Sequence, residues 1–195
     1  MKKTLTLTLM ISFGLFMVLS PVFIHLVSYL HAIVWVVILF CIICIVGFWV
    51  LLLRKEKIHI PYPIFLSFLT LYTIALVILL FLRPTDQIYK SINLVPFTTL
   101  IFYLSGKVNW LIAFYNLAAN IVLFIPYGLF LRMKRFSQWK TLFIALLMIA
   151  CIEVLQFIFH RGSMDIDDLI LNLLGVYLGF VLFRFIRKVV HIVIF

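Results

Sequence analysis

TLFIALLMIACIEVLQFIFHRGSMDIDDLILNLLGVYLGF, residues 141 to 180, decides the fold. Two apolar runs, about Thr141 to Phe159 and about Asp167 to Phe183, flank a short polar hinge. Each run is close to the ~20 residues a helix needs to cross a bilayer. Four of the six acidic residues in the chain, Glu153, Asp165, Asp167 and Asp168, fall in or beside the hinge. Glu153 lies inside an apolar run, where an ionised carboxylate is expensive and marks a functional-site candidate. At helical spacing Glu153, Gln156 and His160 share one face, and Asp168, Asn172, Gly175 and Gly179 share another. Two polar stripes meeting across a hinge predict a hydrated pocket at one membrane surface.

Composition agrees with a membrane protein. The 195 residues are 67% hydrophobic and 11% charged, with mean hydropathy +1.30, whereas a soluble domain is about half apolar and a quarter charged. The net charge of +10 follows the positive-inside effect, because most basic residues sit in short loops between apolar runs. No basic run is long or aromatic-interleaved enough for nucleic acid, so none is expected as a partner. Cys41, Cys44 and Cys151 all lie in apolar runs. Cys41 and Cys44 have redox-motif spacing but no polar neighbour to stabilise a thiolate, and read as small hydrophobic residues.

Outward from the hinge, the chain reads as one all-α, six-helix membrane bundle over residues 1–195. No charge occurs from Thr4 to Leu53, too long for one crossing, so a break is expected between Pro21 and His31. No small-x-small cleavage site follows the first run, which is kept as a helix. A second helix covers about Leu30 to Leu53 and a third about Pro61 to Leu82. Arg83 to Lys107 is a mixed polar and apolar loop, expected to lie against the membrane or to be partly re-entrant. A fourth helix covers about Val108 to Leu131, with Asn116 and Asn120 one turn apart. The tail Val189 to Phe195 is apolar but too short to cross, and is expected at the interface or packed on a neighbour.

Orientation follows from the basic residues. One side holds Arg83, Lys90, Lys107 and Arg161, and the other holds the remaining twelve of the sixteen. The basic side, with both termini, is expected to be cytoplasmic in a multi-pass protein of the bacterial cytoplasmic membrane. The hinge is then extracytoplasmic. By helix rise, Asn116, Asn120, Glu153, Gln156, Asp168 and Asn172 fall in overlapping layers of the outer leaflet, with Arg161 and Asp165 at the mouth.

Several chemistries fit these residues. Asp165, Asp167 or Asp168 with Glu153 could hold a hard cation, though the spacing lacks the glycine and terminal glutamate of an EF-hand. Glu153 with Asp168 could perform acid–base hydrolysis on a lipid head group with water as nucleophile. The pocket could instead bind the head group of a lipid or lipid-linked molecule without catalysis. Structural alternatives stand beside these: Asn116 and Asn120 as interhelical hydrogen bonders, Gly175 and Gly179 as a close-packing pair, and Asp168 as a helix cap. Glu153 is expected to be either neutral or charge-paired, Arg161 being the nearest cation in the motif. No Walker, GxGxxG or HExxH motif occurs, and no cofactor or metal is expected.

The motifs resemble those of the VanZ-like family of bacterial membrane proteins. The matching pieces are Asn93-Leu-Val-Pro-Phe97, Asn120 with Leu123-Phe-Ile-Pro126 and Gly128, Glu153-x-x-Gln156, and Arg161 followed by Asp165-Ile-Asp-Asp168, Asn172, Gly175 and Gly179. They cover roughly residues 83–183, with residues 1–82 less recognisable. Leu173 stands where the family often has a small polar residue. The resemblance adds Asn93 to the expected pocket. It implies low-level resistance to teicoplanin-type glycopeptides, with membrane lipids, a lipid-linked cell-wall precursor or the lipoglycopeptide itself as partners. A non-enzymatic envelope role is the first expectation and a lipid head-group enzyme the second.

Overall fold

The computed structural model describes residues 2–27, 33–82 and 92–193. Its helices are α1 Lys2–Val27, α2 Ile33–Arg54, α3 Tyr62–Phe81, the short α4 Thr98–Leu104, α5 Trp110–Met133, α6 Gln138–Ile158 and α7 Ile166–Ile186. Four short strands accompany them: β1 Ile58–Pro61, β2 Ile92–Asn93, β3 Met164–Asp165 and β4 Val190–Val193. Among the described residues five helices are long and apolar enough to cross a membrane, α1 over Lys2–Pro21 together with α3, α5, α6 and α7, and α2 adds the apolar stretch Ile38–Arg54. The fold is therefore an all-α, polytopic membrane helix bundle. Large side chains such as Val18, Phe68 and Phe143 stay mostly exposed, as lipid-facing residues do.

Pro21 departs from expectation, since α1 runs through it to Val27. A proline removes the N–H that would bond the carbonyl four residues back, here that of Met17. The Ser20 hydroxyl donates to that same Met17 carbonyl at 2.8 Å, so the freed acceptor is satisfied and the helix continues. The expected break at Pro21 to His31 otherwise overlaps residues 28–32, outside the described residues. Residues 83–91 of the expected re-entrant loop, with Arg83 and Lys90, are also outside them.

The chain divides into two compact units, Met1–Pro61 with Phe185–Phe195, and Tyr62–Arg184. In the first, Thr4, Thr8 and Ser12 form a buried stripe at helical spacing along α1. Thr4 donates to the Glu56 carboxylate at 2.8 Å and accepts from Arg54 at 3.1 Å. A Cβ on Gly47 would meet Thr8, and Phe16 packs edge-on against Trp35. Those partners descend in number as α1 ascends, so α1 and α2 are antiparallel. The C-terminal tail takes the second of its two expected places, packed on a neighbour. It forms β4, which pairs in parallel with β1 from Ile58↔Val190 to Pro61↔Val193. The alternative of bare apolar backbone at an interface would leave its N–H and C=O groups unpaired.

In the second unit α3, α5, α6 and α7 each contribute to one core of Leu76, Phe124, Ala145, Ile149 and Val176. Helices in lipid gain little from apolar burial and associate through close packing and interhelical hydrogen bonds. Both occur. Gly175 and Gly179 of α7 lie against the Ile121 and Ile125 carbonyls of α5, and Gly128 of α5 lies against the Val176 carbonyl. A Cβ at any of the three would overlap that backbone. Tyr72 donates to the Leu123 carbonyl at 2.7 Å, and Tyr127 donates to Thr73 at 3.1 Å.

Candidate functional site

The site is built around the turn between α6 and α7. At the end of α6, His160 takes a left-handed conformation with φ 56°. Its N–H bonds the Phe157 carbonyl and the Arg161 N–H bonds the Gln156 carbonyl. That pair of bonds is a Schellman motif, which closes a helix and reverses the chain. His160 consequently leaves the helix, is exposed, and does not share the Glu153–Gln156 face expected from unbroken periodicity.

The returning chain forms β3, which pairs with β2 so that Asn93 stands opposite Asp165. Asp165 then starts α7: its Oδ1 accepts the Asp167 N–H at 2.9 Å, the bond an N-cap residue makes. Its other oxygen accepts the Thr99 hydroxyl at 2.5 Å, and Asn93 donates to Oδ1 at 3.3 Å. Asp165 is thus buried as a cap and not exposed at the mouth. Asp168 is not the cap that one structural reading made it.

Asp167 has the largest structural task in the hinge. Fully buried, its carboxylate accepts the backbone N–H groups of Phe97 at 2.6 Å, Thr99 at 2.8 Å and Leu100 at 3.1 Å. Those donors are the open N-terminus of α4, whose own N-cap residue, Phe97, offers no side-chain acceptor. A carboxylate there meets both the orphan donors and the positive end of the helix dipole. Helical spacing separates Asp167 from the Asp168–Asn172 stripe, the one sequence signal that it points elsewhere. Nothing in the sequence names its target.

Between α4, the end of α3 and the facing parts of α5, α6 and α7 lies a cavity of about 450 Å³. Asn116, Asn120, Glu153, Gln156, Arg161, Asp165, Asp168 and Asn172 all line it. Asn93 does not; it lies one layer out, donating to Thr98, Thr99 and Asp165 and accepting the Val95 N–H. Thr99 and Tyr103, which no sequence pattern marked, also line it through α4.

The polar wall is only partly satisfied. Asn120 donates to Asp168 Oδ1 at 2.5 Å, and Asn116 donates to the Tyr103 hydroxyl at 3.2 Å. Gln156 donates to the Leu80 carbonyl at 3.2 Å, occupying one of the last carbonyls of α3, which has no intrahelical partner. Neither Gln156 nor Asn120 donates to Glu153. Glu153 is buried on α6, facing the Asp165 backbone. Arg161, exposed at the rim, forms no ion pair with it among the described residues. Asn172 is 5% exposed, and its Oδ1 has no hydrogen-bond partner. The cavity therefore offers spare acceptors on Glu153, Asp168 and Asn172.

The family model described as VanZ/LLP1 matches residues 64–187. The chain belongs to the VanZ/LLP1 family. The matched segment nearly coincides with the second compact unit and contains every residue lining the cavity. The chain is also 33% identical over 101 residues to Protein VanZ of Enterococcus faecium, a match covering 51% of this chain and 56% of that protein. The chain thus spans little more than half of that VanZ protein's length. No solved structure matches.

Proposed function

We propose that this protein acts at the outer face of the bacterial cytoplasmic membrane and modulates low-level tolerance to teicoplanin-type glycopeptides. It does so by binding a lipid-linked envelope component, or the lipid-tailed drug, in the cavity bounded by α4. The observation that carries this reading is a 450 Å³ cavity whose walls combine carboxylates and amides drawn from three apolar helices. A volume of a few hundred Å³ or more suits a small ligand, and polar walls at membrane depth are expensive unless they serve one. Family membership and the relative named VanZ support the link to glycopeptides.

Orientation is part of the proposal. Among described residues of the second unit, the cavity end carries Lys107 and Arg161, while Arg132, Lys134, Arg135, Lys140 and Arg184 cluster at the other end. By the positive-inside rule the basic end is cytoplasmic and the cavity opens outward. A Ser163→Cys variant in a cysteine-free background should react with an impermeant thiol reagent on intact cells. Labelling only after lysis inverts the topology and removes the envelope-facing role.

The functional test compares cavity and control variants at matched expression. Asn120→Ala, Gln156→Ala and Asn172→Ala should each lower glycopeptide tolerance, whereas Lys134→Ala and Lys140→Ala should not. Equal effects from both groups place the function elsewhere. The two carboxyls facing one cavity also favour a second reading, a lipid head-group hydrolase using Glu153 and Asp168. Such an enzyme loses all function in a folded Glu153→Gln variant, where a binding protein keeps part of it.

A further inference from the structure

The hydrogen-bond inventory of the cavity is one-sided. Asp165 and Asp167 are fully engaged in capping α7 and α4. Among the described residues the Asp168 Oδ2 and Asn172 Oδ1 atoms accept nothing, and no side chain donates to Glu153. Asp168 and Asn172 are one helical turn apart on α7, and Glu153 faces the same cavity from α6. Among the described residues the one basic side chain lining the cavity is Arg161 at the rim, which bonds neither carboxyl. Two carboxyls and a bare amide oxygen in a membrane-embedded cavity need donors, and a carboxyl that ionises there needs positive charge beside it.

The size and surroundings of the cavity narrow the choice. Among the described residues no group of three or more His, Cys, Asp or Glu side chains is placed to hold a metal ion. At 450 Å³ the space is also far larger than a bare ion fills. An apolar cleft of about 90 Å³ adjoins it, and Leu80, Phe124 and Ile152 line both spaces. The polar space thus continues into one shaped for hydrocarbon. A head group ending in phosphate would bring more negative charge against Glu153 and Asp168. Hydroxyl groups would supply donors without charge. A protonated primary amine supplies three donors and the charge together.

Resting on the head-group reading above, we infer that the cavity takes an amphiphile with a primary ammonium head. The ammonium binds among Glu153, Asp168 and Asn172, and the start of the hydrocarbon chain enters the cleft beside Leu80, Phe124 and Ile152.

Lipid binding to the purified full chain, followed by native mass spectrometry, tests this. Dioleoyl phosphatidylethanolamine, its N-acetylated form and dioleoyl phosphatidylglycerol share their chains and differ in the head. The ethanolamine lipid should bind about tenfold or more tightly than either of the others, the effect of one charge-assisted hydrogen bond or more. Glu153→Gln and Asp168→Asn should each erase that preference. The comparison among lipids uses the parent protein and holds even if a variant does not fold. Soluble ethanolamine saturating the site as well as the lipid overturns the amphiphile, and competition by magnesium at matched concentration overturns the amine. Equal binding of all three lipids, lost in an Asn116→Trp variant that blocks the cavity, removes the ammonium class and leaves the head-group site standing. Lipid binding indifferent to Asn116→Trp removes both.

Discussion

The Asp167 carboxylate accepts the backbone N–H of Phe97 at 2.6 Å, across seventy residues of chain. Phe97 sits in the left-handed region at φ 67° and cannot cap α4 with its own side chain. The cap comes from α7 instead, so the short helix that covers the cavity is fastened to the helix that forms its far wall. Conformation of the covering segment and integrity of the cavity are therefore linked through one side chain.

Replacing Asp167 by Asn should break that link. Asn keeps one acceptor oxygen for three N–H donors and turns an amide donor toward them. Hydrogen bonds to a buried charge are worth about 1.5–3 kcal/mol each, so a loss of at least about 2 kcal/mol is expected. Chemical denaturation in detergent measures it. A variant as stable as the parent would mean that α4 is held by other contacts.

Gly175→Ala and Gly179→Ala should destabilise the bundle by roughly 1–3 kcal/mol each, the usual effect of overpacking a tight interior. The new methyl group meets the Ile121 or Ile125 carbonyl, and backbone cannot rotate away as a side chain does. Gly14→Ala is the control, with nothing within 4 Å of its added Cβ. In a helix that change is neutral or stabilising by about 0.5–1 kcal/mol. Equal melting temperatures for all three variants would contradict the close α5–α7 approach.

Ser20 and Pro21 should be coupled. In the parent chain Ser20→Ala leaves the Met17 carbonyl without its donor, a loss of about 0.5–1.5 kcal/mol. In a Pro21→Ala background the restored N–H reaches that carbonyl, and Ser20→Ala becomes nearly neutral. A double-mutant cycle on thermal stability reads the coupling directly. Additive effects would show that the serine bond does not replace the missing one.

Glu153→Gln should fold about as well as the parent, because among the described residues no cation is bound to the carboxyl and Gln keeps its shape and an acceptor oxygen. Glu153→Ala removes that buried polar group from the cavity wall, with a loss of about 1–3 kcal/mol. Melting curves in detergent separate the two. Strong destabilisation by Gln would reveal a charge partner for Glu153, and indifference to Ala would mean that the residue is solvated.

The membrane class, the spans of the long helices and the layer at which their polar residues sit are legible in the sequence. Apolar length fixes a crossing, and the 3.6-residue period fixes which residues share a face. For that reason helix rise alone brings Asn116, Asn120, Glu153, Gln156, Asp168 and Asn172 to one level, and they line one cavity. The pairing of Gly175 and Gly179 as a packing surface was legible on the same ground.

Which groups bond one another depends on the packed chain. Gln156 reaches Leu80 on α3 and not Glu153, Asn120 takes Asp168, and Asp167 turns to α4. Periodicity gives each helix a polar face but neither its neighbours nor its rotation against them, and a hydrogen bond is settled by a few tenths of an ångström. His160 left its stripe because a left-handed residue ends the helix there. The tail became β4 because β1, more than 120 residues earlier, offers parallel backbone partners. Both outcomes depend on backbone that must pair its polar groups with whatever the fold brings near. That pairing is a property of the packed chain and of no single segment.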